Sequence, residues 1–191
     1  MYKRQVGGPT TWPHYPRGWA QACNTPFRLY KFSTLRGGQQ APFVFSWPAR
    51  FPARDEIRGQ YTHVTDVLPT LVDLIGLEVP AERCGRKASA WAGASFADTL
   101  ADPAAPSRHT EQYTECAGNR GFYRDGWEIV TVRRPMTPFG EERWALFDVA
   151  NDPTQSVDLA ERHPELVREL AAAFDAAAWA CLLYTSPSPR D

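Results

Sequence analysis

The stretch Asn24-Thr-Pro-Phe-Arg-Leu-Tyr-Lys31 and the run Pro42-Phe-Val-Phe-Ser-Trp47, with Gly37-Gly38 between them, decide the fold of this chain. The run at 42–47 is short and apolar, and it closes at Pro48. A run of this length and composition predicts a buried strand, including one of a parallel sheet.

A helix is predicted over residues 63–77. Apolar residues recur there at helical spacing, at Val64, Val67, Leu68, Leu71, Val72 and Ile75. Thr65 suits the N-cap and Gly76 the C-terminal cap, and Pro69 is tolerated because it falls near the first turn. Loop, strand and helix in this order predict the closing part of an α/β layer.

The remaining segments predict an irregular beginning and a small sheet with a helix at the end. Residues 7–18 are dense in glycine, proline and aromatic residues, which indicates a loop. Residues 80–107 show little periodicity and predict a connecting segment with one short helix near 96–100. Four β-prone runs separated by turn residues predict an antiparallel meander, at 112–115, 121–124, 127–133 and 144–149. Pro164 begins a final helix whose apolar stripe is Leu166, Leu170, Phe174 and Ala178.

Composition limits the class of protein. The chain has 191 residues, of which 43% are hydrophobic, enough for one ordinary domain core. Its formal net charge of -1 predicts no nucleic-acid partner and no anionic-membrane surface. The cysteines form no C-x-x-C pair, which argues against a zinc site, and no apolar stretch is long enough to span a bilayer. The sequence leaves the oligomeric state open. It also leaves the compartment open, with the cytoplasm as one alternative and the periplasm or secretion as the other.

The two ends of the chain differ in character from the rest. Residues 1–5 and 181–191 resemble the translated transposon-end adapter of shotgun sequencing libraries, because Tyr2-Lys-Arg-Gln5 can be coded by a string whose reverse complement gives Cys181-Leu-Leu183. We therefore exclude both ends from the fold argument. Residues 6–180 are expected to be a piece of a longer, metagenomic gene.

Three segments, taken in chain order, carry a resemblance to a known family. They are 18–31 with Gly37-Gly38 and Trp47-Pro48, then 63–70 with Gly76-Leu77, then 118–127 with 144–149 and Asp152-Pro153. Together they resemble the type I sulfatases, the arylsulfatase family of the alkaline-phosphatase-like superfamily. The resemblance implies a C-terminal fragment of an α/β enzyme. Residues 6–107 would be the end of the sulfatase α/β domain plus a linker, and 108–180 a small antiparallel sheet with a C-terminal helix.

The resemblance also implies a chemistry, the hydrolysis of a sulfate ester to an alcohol and inorganic sulfate. In such enzymes the nucleophile is a formylglycine made from a C/S-x-P-S-R motif, and a divalent cation, usually calcium, stabilises the sulfate charge. No such motif occurs here, and the Asp-Asn pair of metal ligands is expected just upstream of Gly7-Gly8. The fragment alone is therefore expected to bind no cofactor and to be inactive.

By motif position, the active-site lysine carries over as Lys31. A compact ammonium suits contact with a sulfate oxygen and with the bridging ester oxygen, where negative charge develops. Asn24, Arg28 and His14 are further candidates for binding the small-molecule sulfate ester, although a turn former or a packing residue explains each of them as well. After the lysine the family often has Glu-Gly-Gly-x-Arg, whereas this chain has Arg36-Gly-Gly-Gln-Gln40, so the packing around this segment is expected to differ.

Other polar residues are assigned no chemistry. His63, His109 and His163 have no partner at ligand spacing and are interpreted as capping or packing residues, and Asp66 and Asp73 as solvated carboxylates. Two alternatives to the sulfatase remain open: a phosphate or phosphonate ester hydrolase of the same superfamily, and a degenerate, non-catalytic ligand-binding relative. The sequence does not specify the alcohol half of the substrate.

Overall fold

A computed structural model describes the protein at residue 8 and over residues 16–52, 55–131 and 143–181. The chain forms two compact units, one comprising residues 1–42 and 113–191 and the other residues 43–112. In chain order the elements are α1 (Arg17–Cys23), α2 (Arg36–Gln39), a 3-10 turn (Val64–Asp66), α3 (Val67–Ile75), β1 (Glu82–Arg83), β2 (Arg86–Lys87), α4 (Ala97–Ala101), β3 (Glu111–Cys116), β4 (Asn119–Arg124), β5 (Trp127–Val130), β6 (Ala145–Asp148) and α5 (Pro164–Ala180).

The predicted meander is a four-stranded antiparallel sheet in the order β3-β4-β5-β6. Phe122 of β4 lies opposite Ile129 of β5, which in turn lies opposite Leu146 of β6. Asp125 and Gly126 join β4 to β5 with positive φ angles of 47° and 88°. Two consecutive left-handed residues suit a tight hairpin, because their twist matches that of the paired strands. The connection from β5 to β6 lies largely outside the described residues.

The C-terminal helix packs against this sheet, as its apolar stripe predicts. Leu170, Phe174 and Ala178 of α5 are buried in one cluster with Phe122, Ile129 and Leu146 of the strands. Burying a side chain such as Leu170 or Phe174 contributes about 1.5–3 kcal/mol. Pro164 occupies the first turn of α5, where its missing N–H has no partner to lose. This core fixes the frame of the first unit.

The strand predicted at 42–47 is wrong. Among the described residues this segment pairs with no strand, and most of it is exposed, including Phe43 and Val44. An apolar run becomes a strand only when a neighbour satisfies its backbone groups, and none of the described segments does so. The predicted loop at 7–18 also ends early, because α1 begins at Arg17; residues 9–15 lie outside the described part.

The helix predicted over 63–77 is present, with two corrections. It begins as a 3-10 turn, and the N-cap is His63 rather than Thr65: His63 accepts from the Thr65 N–H, while the Asp66 carboxylate accepts from the His63 N–H. Gly76 closes the helix in the left-handed conformation, with φ 68°. The short helix near 96–100 is also confirmed as α4, whereas the β1–β2 hairpin was not predicted.

The turn and α3 expose their apolar side and bury their polar side. Four residues of the predicted stripe are exposed, at 76% for Val64, 60% for Leu68, 41% for Leu71 and 53% for Ile75, and the other two, Val67 and Val72, are half-buried. The residues buried within the unit are Asp66, Thr70 and Leu74, at 1%, 1% and 5% exposure. The Thr70 hydroxyl donates to the Asp66 carbonyl at 2.6 Å and accepts from the Phe96 N–H at 3.1 Å. Hydrogen bonds, rather than apolar contacts, therefore hold much of this helix in its unit.

Candidate functional site

Lys31 lies on the segment between α1 and α2, which we call the lysine loop (residues 24–35). Its side chain is exposed, and its ammonium nitrogen lies 5.4 Å from the centre of the Phe32 ring. Leu29 and Phe32, on either side of it, have φ angles of 62° and 73°. Left-handed backbone costs about 1–2 kcal/mol for a residue with a Cβ. Strained residues of this kind persist where the surrounding structure determines them and cluster at functional sites.

The side chain of Asn24 holds the lysine loop against α2. Its Nδ2 donates to the carbonyl of Leu29 at 2.9 Å and to that of Gly37 at 2.7 Å. Gln21 of α1 adds two bonds, accepting from the Leu29 N–H at 3.0 Å and donating to the Phe27 carbonyl at 3.2 Å. Asn24 thus shapes the loop, and its contact with a substrate stays a prediction.

The Gly37-Gly38 pair allows α2 to lie directly against the lysine loop. A Cβ at Gly37 would lie 2.2 Å from the carbonyl oxygen of Arg28, and one at Gly38 would lie 2.1 Å from that of Ser33. The Gly37 N–H donates to the same Arg28 carbonyl at 3.0 Å. The fixed spacing between Lys31 and the glycines therefore has a steric origin.

The side chain of Arg28 is hydrogen-bonded to a residue far along the chain. Its Nη1 donates to the main-chain carbonyl of Gln155 at 2.8 Å, and the Gln155 side-chain oxygen accepts from the Arg36 N–H at 2.8 Å. The Gln155 amide then donates to Glu128 of β5 at 2.8 Å. Sequence reasoning missed Gln155 and Glu128; the nearby signal was Asp152-Pro153, which belongs to the family resemblance. Substrate contact by Arg28 also stays a prediction.

Glu128 is the buried acid of this site. Burial raises the pKa of its carboxyl group to about 7, against the opposing effects of Arg36 and of a hydrogen bond from Gln39. The carboxyl group of Glu128 therefore titrates near neutral pH. Arg36 stands where the related family often has a glutamate, so this chain places a positive charge near Glu128.

A shallow pocket of about 190 Å³ lies beside the lysine loop. It is lined by Cys23, Asn24, Thr25, Phe27, Gln40, Ala41 and Pro42. Asn24 links the pocket to the loop, because the same side chain that lines the pocket also bonds to Leu29 and Gly37. His14, the remaining candidate, lies outside the described residues.

The second unit brings two histidines, His63 and His109, close to each other. His109 Nδ1 lies 2.8 Å from the buried Asp66 carboxylate, and the rings of His63 and His109 are 5.7 Å apart. Asp66 is therefore a buried partner, and its interpretation as a solvated carboxylate is wrong. Burial lowers the pKa of His63, and the neighbouring His109 lowers it further, partly offset by Asp66. The Asp66 oxygens also accept from the N–H groups of His63 and Ala94 at 2.7 and 2.9 Å, so the cluster ties three segments together.

The described residues do not fit a metal site. Among them, no group of three His, Cys, Asp or Glu side chains could hold a metal ion. The nearest match to C/S-x-P-S-R is Ala104-Ala-Pro-Ser-Arg108, with alanine at the nucleophile position. There the Ser107 hydroxyl donates to the Tyr61 carbonyl at 2.9 Å, and Arg108 pairs with Asp98 at 2.6 Å. This segment is structural. No helix within the described ranges is long and apolar enough to cross a membrane.

Comparisons of sequence point to one class of proteins. An uncharacterised sulfatase of Schizosaccharomyces pombe is 26% identical over 158 residues, 82% of this chain and 28% of its own length. Human arylsulfatase D is 27% identical, covering 81% of this chain and 29% of its own. The N-acetylgalactosamine-6-O-sulfatase of Bacteroides thetaiotaomicron is 22% identical, covering 78% and 30%. No protein-family profile matches the chain.

Comparisons of structure agree. The crystal structure of Ps i-CgsB covers 81% of this chain and 32% of its own, with a TM-score of 0.63 and 20% identity. A structure from work on glycosaminoglycan metabolism by Bacteroides thetaiotaomicron covers 77% and 31%, with a TM-score of 0.58 and 18% identity. These likenesses concern the fold, and they confirm the predicted fold class, with a small antiparallel sheet and a C-terminal helix.

The comparisons of sequence and of structure together indicate that this chain is similar to the sulfatases. The chain is a homologue of the type I sulfatases, as the resemblance of its three segments predicts. It spans about three tenths of the length of the curated relatives it matches.

Proposed function

We propose that this chain supplies the lysine loop of a sulfatase that hydrolyses sulfate esters, with Lys31 contacting the sulfate group. The observation that carries the proposal is the arrangement of the loop. An exposed ammonium group stands between two left-handed residues, Leu29 and Phe32, on a backbone that Asn24 and Gly37 hold in place. A loop built in this way fixes the backbone from which the Lys31 ammonium projects.

The charge of Lys31 suits the reaction. When the sulfur–oxygen bond of a sulfate ester breaks, the bridging oxygen takes the electron pair and becomes negative. A compact ammonium beside that oxygen stabilises the transition state more than the ground state, which is the condition for catalysis. The Nη1 of Arg28 donates to the main-chain carbonyl of Gln155, which gives the Arg28 guanidinium a structural partner, and we propose Lys31 as the catalytic residue.

The cofactors of the related family are not supplied by the residues described. Neither a metal-binding cluster among those residues nor a C/S-x-P-S-R motif in the sequence is present. We therefore assign calcium and the formylglycine nucleophile to a longer polypeptide and propose that these 191 residues alone do not hydrolyse the ester.

The test uses the full-length product of the gene that contains this sequence. Its kcat/KM is measured with 4-nitrophenyl sulfate for the parent enzyme, Lys31→Ala and the control Lys87→Ala, which changes an exposed lysine of the β1–β2 hairpin. We expect Lys31→Ala to lower kcat/KM by about 10²–10³-fold, as the loss of one charge-stabilising group does. Lys87→Ala should leave it unchanged. Equal activity of all three would remove Lys31 from the reaction.

The substrate class is settled in the same assay. Parallel rates with 4-nitrophenyl phosphate separate a sulfatase from a phosphate ester hydrolase of the same superfamily. A sulfated oligosaccharide is included, because one structural neighbour has been determined in complex with k-i-k-neocarrahexaose. Binding of sulfated ligands without hydrolysis would instead indicate a degenerate binding protein. Hydrolysis by the 191-residue chain alone would contradict the proposed need for further residues.

A further inference from the structure

One buried residue, Gln155, is hydrogen-bonded to the chain on both sides of Lys31. Its main-chain carbonyl accepts from Arg28 on one side of Lys31, and its side-chain oxygen accepts from the Arg36 N–H on the other side, both at 2.8 Å. Arg28 and Arg36 are separated from Gln155 by 127 and 119 positions in the sequence. The nine-residue stretch 28–36, which carries Lys31, is therefore hydrogen-bonded at its two ends to Gln155, once to the main-chain carbonyl and once to the side chain.

Gln155 is itself fixed in the first unit. It is fully buried and has a φ angle of 56°. Its N–H donates to the Asp152 carbonyl at 3.1 Å, and its side-chain amide donates to Glu128 in the middle of the sheet at 2.8 Å. A buried glutamine in left-handed backbone is strained and requires an explanation. The hydrogen bonds explain this conformation, because the left-handed backbone directs the Gln155 carbonyl and side chain toward the lysine loop.

We propose that Gln155, anchored by Glu128, is the positioning residue for Lys31. Gln155 touches no reacting group; it sets the position of the backbone from which the ammonium projects. The inference rests on the proposed function only for what Lys31 does. The clamp is a property of this chain and is measurable without any hydrolysis.

The first test measures the clamp through the hydrogen exchange of the Arg36 amide, since that N–H donates to Gln155. Gln155→Met keeps the length of the side chain and removes its hydrogen bonds. We expect the protection factor of Arg36 to fall by about fivefold, because a neutral buried hydrogen bond contributes about 1 kcal/mol and each 1.4 kcal/mol is a factor of about ten. Amides of β5 and β6 report whether the sheet stays folded.

The matched control for Gln155→Met is Ser156→Ala in the same turn. The hydroxyl of Ser156 lies 2.6 Å from that of Thr154 and is exposed, so its loss should leave Arg36 protection unchanged. Equal loss of protection in both variants would assign the effect to the turn and overturn the role of Gln155. Unchanged protection in Gln155→Met would overturn it as well.

The second test gives a pH profile that a merely space-filling residue would not produce. In Gln155→Glu, one carboxylate oxygen still accepts from Arg36, while the other faces Glu128. The two carboxyl groups can bond only while they share a proton, so Arg36 protection should fall as the pH rises from 5.5 to 8.5. The charged and titratable neighbours of Glu128 are Arg36 and Tyr123.

A double substitution tests whether the profile comes from this pair. Glu128→Gln in the Gln155→Glu background supplies an amide donor in place of the shared proton, and the dependence on pH should disappear. A profile that is flat in Gln155→Glu, or that persists in the double variant, would contradict the clamp.

The outcome for the clamp is distinguishable from the outcome for the proposed function. In the full-length enzyme, Gln155→Met should lower kcat for the sulfate ester by about tenfold with little change in KM, because a displaced cation weakens transition-state contacts. If Arg36 protection falls but the enzyme hydrolyses no sulfate ester, the clamp stands and the function fails. If kcat falls without any change in Arg36 protection, positioning by Gln155 is wrong.

Discussion

Gly37 lies so close to Arg28 that a Cβ at position 37 would stand 2.2 Å from the Arg28 carbonyl oxygen. The obstacle is backbone, and the same carbonyl accepts from the Gly37 N–H at 3.0 Å, so neither partner can withdraw without losing that bond. At this point the lysine loop and α2 are therefore in contact through main-chain atoms.

Gly37→Ala is expected to open the lysine loop. The added methyl group forces backbone apart, and we expect a loss of at least about 2 kcal/mol in the free energy of unfolding, at the upper end of overpacking effects. The control is Gly18→Ala in α1, where nothing lies within 4 Å of the new Cβ. That change should stabilise the chain by about 0.5 kcal/mol. Urea unfolding of both variants measures the contrast, and similar midpoints would contradict the close contact.

The free energy of unfolding should fall as the pH rises from 5 to 7. The folded-state pKa of Glu128, about 7, exceeds its ordinary value of 4.5 because of burial. The folded chain therefore binds more protons than the unfolded chain between these values, and the contribution present at low pH is lost as the pH rises through 7. Over these two pH units the free energy of unfolding should fall by about 2–3 kcal/mol.

Glu128→Gln isolates this contribution, because the amide cannot ionise. Urea unfolding at pH 5 and pH 8 is compared for both proteins, so that all other titrating groups cancel. The difference in the free energy of unfolding between the parent and the variant should change by about 2 kcal/mol from pH 5 to pH 8. A constant difference would show that the Glu128 carboxyl group titrates as it does in the unfolded chain.

Asp66→Ala should unfold the second unit. The change removes the acceptor of His109 and of two backbone N–H groups, and it leaves those buried donors without a partner. We expect a cost of about 3 kcal/mol or more. Asp73→Ala is the control, because its exposed carboxylate bonds only to Ser95 in the described contacts and should cost less than about 1 kcal/mol. Hydrogen exchange of the Ala94 and Phe96 amides reports the result.

The exposed stripe of α3 should cause self-association. A contiguous apolar face in water favours contacts between molecules. The double substitution Leu68→Lys and Leu71→Lys should keep the chain monodisperse at higher concentration, with the free energy of unfolding changed by less than about 0.5 kcal/mol. Leu74→Ala, on the buried side of the same helix, should instead cost about 2–4 kcal/mol. Light scattering after gel filtration measures the association. Equal association of the parent chain and of the double variant would contradict the prediction.

The elements that could be predicted from sequence are those whose partners lie within the chain. The stripe of α5 follows from periodicity and the strands of the sheet from β-prone runs between turn residues, and the two elements pack together in one core. The run at 42–47 has the composition of a strand but no described neighbour to pair with, so composition alone was misleading. For α3 the periodicity gave the helix correctly and its buried side incorrectly.

The candidate site was predictable only in part for a different reason. Lys31 and its spacing to the glycines are local in sequence, and a motif can record them. Gln155 and Glu128 act on the lysine loop from more than ninety positions away, through single hydrogen bonds that leave no periodic signal. The pairing of Asp66 with His109 spans 43 positions, and one sequence carries no covariation from which to infer it.

In α3, tolerance to substitution is uncoupled from hydrophobicity. Thr70 is small and polar, yet its hydroxyl links Asp66 to Phe96 and has no room to move, whereas Leu68 has solvent on most of its surface. A scale that predicts tolerance to substitution from transfer free energies would therefore rank Thr70 as more tolerant than Leu68. The structure indicates the reverse order. In a deep mutational scan of this chain, the threonine is the position at which almost every exchange is rejected, and the leucine accepts charge.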